Sequence, residues 1–102
     1  MALLIALEKE RGERVETVSD IKNVFQSALT RNKQEFYELL KYVDLYGNTV
    51  FNNLQMKILL KDLNFLLENA KDNEEKEIIK AIIVLCDKCL KEVHLYIKFY
   101  GD

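Results

Sequence analysis

The chain has 102 residues, 12.0 kDa and 49% hydrophobic content, which suits a single domain over residues 1–102 with one core, needing neither metal nor disulfide support. Fifteen Lys+Arg against 17 Asp+Glu leave a net charge of -2 and a pI near 5.5, so no net positive field draws in nucleic acid. Charged residues make up 31% and are mixed in sign, which fits a solvated surface and argues against a disordered acidic or basic tail.

Met1 to Leu7 is apolar, but it lacks a positive leading segment, runs straight into Glu8-Lys9-Glu10-Arg11 and is too short to span a bilayer. It reads as a buried strand, apolar on both alternating sets, central in a small sheet. A cytoplasmic location follows, and there Cys86 and Cys89 are expected as thiols. Gly12 ends a polar loop, and Arg14-Val15-Glu16-Thr17-Val18 resumes β-branched residues, giving an N-terminal β-hairpin with an edge strand.

Thr17 or Ser19 offers a helix cap, and Ile21, Val24, Phe25 and Ala28 recur at helical spacing to about residue 30. Phe36, Leu39, Leu40 and Val43 predict a second, short helix over 33–43. In the stretch that follows, Tyr46-Gly47-Asn48-Thr49 reads as a turn. Gly47 would supply φ > 0, Asn48 or Thr49 would cap the next helix, and Asn52 and Gln55, three apart, would tie the turn down. That next helix is expected to run from Thr49 to Ala70, with Leu59, Leu63, Leu66 and Ala70 inward and Lys57, Lys61, Asn64 and Glu68 outward. Asp72 or Asn73 then caps a helix carrying Ile78, Ile82, Leu85 and Cys89 on one line and Ile79, Ile83, Cys86, Leu90 and Val93 on the next. The two long helices should form an antiparallel hairpin.

His94 to Tyr100 alternates, with Leu95, Ile97 and Phe99 on one side and His94, Tyr96, Lys98 and Tyr100 on the other. The expected body is therefore α+β: a hairpin, about four helices including a long antiparallel helical hairpin, and a C-terminal strand completing a small three-stranded sheet. Tyr42 to Asn48 also echoes Tyr96 to Asp102 in character, which leaves residues 42–46 open to an extended conformation.

Cys86-Asp87-Lys88-Cys89 is a C-x-x-C, yet structural zinc wants four ligands and His94 brings the count to three. A redox pair wants its first cysteine at a helix N-terminus, whereas this one lies deep in a helical pattern, so both cysteines read as buried thiols. His94 has no recognisable proton partner, and no phosphate or dinucleotide loop is present, so catalytic, metal and cofactor-binding residues are expected as none. Aromatics interleaved with a cation at His94, Tyr96, Lys98 and Tyr100 suit a protein partner or self-association. The expectation is a small cytoplasmic protein-binding module without catalytic activity, with the toxin-neutralising immunity type in view. The alternative is a metal- or thiol-dependent regulator or enzyme using Cys86, Cys89 and His94.

Asp44-Leu45-Tyr46-Gly47-Asn48-Thr49-Val50-Phe51-Asn52-Asn53-Leu54-Gln55, together with a terminal His94-Leu95-Tyr96-Ile97-Lys98-Phe99-Tyr100-Gly101-Asp102, resembles a set of small uncharacterised bacterial proteins. Those more often read D-P-Y-G-D-T-V-F-N in the first segment, from which Leu45 and Asn48 depart. The resemblance implies no known activity.

Overall fold

The computed structural model describes residues 2–31 and 36–101. Strands β1 (Leu4–Lys9) and β2 (Arg14–Ser19) form the expected antiparallel hairpin. Its loop closes through Gly12, whose φ of 86° lies in the left-handed region that glycine tolerates. The Gly12 amide donates to the Lys9 carbonyl at 2.8 Å and the Lys9 amide to the Glu13 carbonyl at 2.9 Å. Helix α1 (Val24–Arg31) begins later than the spacing of Ile21 suggests, and Ile21 is exposed. The expected caps Thr17 and Ser19 lie inside β2; the fully buried Asp20 does that work, accepting from the Phe25 and Gln26 amides, both at 2.9 Å.

Three departures follow in the middle of the chain. Of the expected helix over 33–43, residues 33–35 lie outside the described residues, and Leu40–Tyr42 form one 3-10 turn. The expected start of the long helix is instead strand β3 (Asn48–Asn52), followed by a 3-10 turn at Asn53–Gln55 and then helix α2 (Met56–Glu68). The sheet consequently has four strands rather than three, and the described residues contain three α-helices rather than four. Helix α3 (Asn73–Lys91) takes Asp72 as its cap, with Asp72 Oδ1 accepting from the Glu75 amide at 3.0 Å, and strand β4 (Leu95–Tyr100) closes the fold.

The strand order is β2-β1-β4-β3, antiparallel throughout, with Leu4 opposite Tyr100 and Asn48 opposite Tyr100 on its other side. Leu3, Ile5, Leu7, Phe51, Leu95, Ile97 and Phe99 bury one face of this sheet against the helices. Helix α3 packs over β4, β1 and β2, and α1 and α2 each pack on α3. Phe99 ties the layers together: its ring lies 6.2 Å from Phe25 of α1 and 5.9 Å, edge-on, from Phe51 of β3.

Buried carboxylates fix the irregular segments to this frame. Asp62 of α2 accepts from the amides of Glu38, Leu39 and Leu40 at 3.1, 2.8 and 3.0 Å, replacing the hydrogen bonds that this non-helical stretch lacks. Glu75 receives Arg31 through two bonds of 2.7 Å and the Lys71 amide at 3.0 Å, joining the end of α1 to the start of α3. The Arg31 guanidinium holds the Glu75 carboxyl down to about 2, and Glu75 in turn raises Arg31.

Candidate functional site: the open face of the sheet

The helices cover one face of the sheet, and strand alternation sends the other set of side chains outward. On this outward face β1 presents Leu4, Ala6 and Glu8, β4 presents Tyr96, Lys98 and Tyr100, and β3 presents Asn48, Val50 and Asn52. Arg14 joins them from β2, opposite Glu8, where a register shift between Leu7 and Glu8 bends the edge.

Tyr100 pairs with Leu4, yet its hydroxyl donates to Glu8, four residues along β1. The ring therefore runs past Ala6, which is wholly buried. Glu8 is 4% exposed although it stands on the face without helices, so this tyrosine and its neighbours shield it. Arg14 Nε lies 3.6 Å from the Glu8 carboxylate, with its guanidinium carbon 4.8 Å from the Tyr100 centroid. Lys98 Nζ lies 4.8 Å from the same centroid. Each cation over the ring is worth about 0.5–1 kcal/mol at such half-exposed positions. Two cations, Arg14 and Lys98, thus stand against one buried carboxylate around this ring. A shallow hollow of ≈ 250 Å³ lies beside it, lined in part by Glu8, Lys9, Glu10, Val50, Tyr96 and Lys98.

Three of the four residues expected to share this face do so. His94 does not: it precedes β4, its side chain is 80% exposed, and Nδ1 lies 2.7 Å from Glu10 Oε1 at the hairpin loop. Glu8 and Arg14 were missed by sequence reasoning. Glu8 is in phase with Leu4 and Ala6, which could have signalled it, but Arg14 needs the bulge to be placed.

Cys86 and Cys89 lie in the last turns of α3, both buried and free of disulfide. Burial pushes the Cys86 thiol up, and lifts Cys89 to about 11, so both are protonated near neutral pH. Cys89 Sγ donates to the Leu95 carbonyl at 3.3 Å, a bond that stitches α3 to β4. With both thiols inside and His94 outside, the structure does not bring the three together. Among the described residues no group of three or more His, Cys, Asp or Glu is placed to hold a metal ion.

The turn residues take roles different from those expected. Gly47 is not among the positive-φ residues, and a Cβ there would meet the carboxylate end of the exposed Asp44 side chain at 2.6 Å, a group that can move aside. Asp44 Oδ1 accepts from the Tyr46 amide at 2.8 Å, and Thr49 Oγ1 accepts from the Asp44 amide at 2.9 Å. Asn48 and Thr49 belong to β3 and cap nothing. Asn52 and Gln55 form a reciprocal capping box: Asn52 Oδ1 accepts from the Gln55 amide at 3.2 Å and Gln55 Oε1 from the Asn52 amide at 2.8 Å. Asn53 reaches the far end of α3, donating to the Cys89 and Leu90 carbonyls at 2.9 Å each.

No protein-family model matches the chain, and neither a curated protein nor a solved structure matches it significantly. No helix among the described residues is long and apolar enough to cross a membrane.

Proposed function

We propose that the chain is a small, non-catalytic protein-binding module whose contact surface is the open sheet face built around Tyr100. The observation behind this reading is the Arg14–Tyr100–Lys98 stack over buried Glu8. Tyrosine and arginine are the side chains that most often dominate protein contacts, because they offer large area with few rotors and a polar tip. Here the stack and the Glu8 bond hold them in place before any partner arrives, which lowers the entropy lost on binding. Arg14 and Lys98 favour a partner surface that carries carboxylates, and β structure keeps the face flat enough to meet one. Toxin neutralisation of the immunity type is the biological form of this proposal, supported by the small size and the lack of catalytic motifs in the sequence.

The test is affinity capture from the native host followed by titration of the purified partner against wild type, Tyr96→Ala and Tyr100→Glu. Tyr100→Glu sets a second carboxylate beside Glu8 and should weaken binding by at least about tenfold, or roughly 1.4 kcal/mol. Equal affinity for all three proteins would remove the open face from consideration.

A further inference from the structure

We infer that the free edge of β3 is a self-pairing interface, through which two copies of this chain join their sheets about a two-fold axis at Val50. The interface runs along the strand's edge, where it shares the Asn48, Val50 and Asn52 side chains with the open face, but it does not depend on the function proposed for that face.

The hydrogen-bond phase of β3 follows from one bond. The Gly101 amide donates to the Gly47 carbonyl at 2.6 Å, in line with the register that sets Asn48 opposite Tyr100. Antiparallel pairs alternate, so Thr49 and Phe51 exchange bonds with β4, while Asn48, Val50 and Asn52 turn their amides and carbonyls toward the free edge. The Asn52 amide is already taken by Gln55 Oε1, as that phase requires. Val50, 53% exposed, keeps an outward amide and carbonyl, and among the described residues no strand pairs with the outer edge of β3.

What identifies the occupant is self-complementarity. An antiparallel copy placed with Val50 opposite Val50 sets Asn48 against Asn52 and Thr49 against Phe51, so every β3 pair is uncharged. The same axis brings Tyr46 of one copy to the end where Leu54 of the other lies, since each stands four residues from Val50. Tyr46 and Leu54 are the two most exposed large hydrophobic residues described, at 83% and 85%. One two-fold operation thus gives contacts to both, twice over, as an isologous interface demands. From Leu45 to Met56 the chain carries no charge at all, in a protein that is 31% charged, so nothing along this edge repels a copy of itself. The remaining pairing is short: Val50 to Val50, and the Asn48 amide to the Asn52 carbonyl of the other copy. A weak, concentration-dependent dimer results.

Sedimentation equilibrium over roughly 0.01–1 mM is the direct test, with a dissociation constant expected on the order of 0.1 mM. Val50→Lys, at an exposed position, should weaken association at least about tenfold while leaving circular dichroism and thermal unfolding unchanged. Should that variant lose its fold, the paired Tyr46→Ser and Leu54→Ser replacements, both outside the core, make the same test. Hydrogen exchange at the Val50 amide should slow as protein concentration rises, and Tyr100→Ala should leave the dimer intact. A monomer at every concentration, or a dimer lost with Tyr100→Ala and kept with Val50→Lys, overturns the assignment and leaves the open-face reading untouched.

Discussion

The two edges of this sheet are built on opposite terms. β2 carries Arg14 and Glu16, is bent by a bulge opposite Leu7 and Glu8, and spends Glu16 on an ion pair with Lys88 of α3. Charge and irregularity of that kind deter a second sheet from adding on. β3 is regular, uncharged and flanked by exposed Tyr46 and Leu54. Its support lies behind it instead: Asp62 anchors the chain that leads into it, and the capping box stops it at Asn52. One edge is closed by its side chains, whereas the other is only shortened.

The largest difference should appear in stability. Asp62→Ala strands the amides of Glu38, Leu39 and Leu40 behind the β3 side and should cost about 3 kcal/mol in urea unfolding, with Asp62→Asn recovering part of it. A loss under about 1 kcal/mol would mean that water replaces the carboxylate and that this side is less rigidly supported than described. Gln55→Ala should act more narrowly. By releasing the Asn52 amide to the edge it adds one bond from each copy, and the dimer should tighten roughly tenfold although the fold loses a helix cap. Unchanged or weaker association would deny the outward phase of β3. The smallest effect belongs to the guarded edge: Lys88→Ala breaks a pair whose two side chains are nearly half exposed and should shift stability by less than about 0.5 kcal/mol, with no change in association.

Much of this body was legible in the sequence, for physical reasons that can be named. A central strand shows itself as an unbroken apolar run, and Leu3 to Leu7 did so, although helices cover only one of its faces and neighbouring side chains shield Ala6 on the other; aromatic alternation marked Leu95 to Tyr100, and a cysteine pair in the apolar phase of a helix marked Cys86 and Cys89 as buried. β3 was hidden because only Phe51 of its five residues is buried, and because Val50, Phe51, Leu54 and Ile58 recur at three and four residues as a helix would. The expected helix therefore absorbed the fourth strand. The carboxylate anchors were hidden because their partners are distant backbone amides. A signal did exist, since Asp62 falls in phase with Leu59, Leu63 and Leu66, and Glu75 with Ile79, Ile82 and Cys86. An acid inside an apolar stripe is a group that must find donors in the interior. The Tyr96–Lys98–Tyr100 face could be read from alternation, but the stack over Glu8 required the register of three strands.

The echo between the two Tyr-Gly segments also has a spatial counterpart. Gly47 and Gly101 meet through one backbone bond, and a Cβ on Gly101 would sit 2.5 Å from the Leu45 carbonyl. Gly101 is there for close approach to that backbone, and neither glycine adopts positive φ.

The middle of the sheet is the seam between β1 and β4, where residues 4–9 lie against residues 95–100. The two strands of that seam stand far apart in sequence, so the pairing is among the longest-range contacts of the fold. Folding should accordingly be slow for a domain of this size, with this seam as its long-range closure.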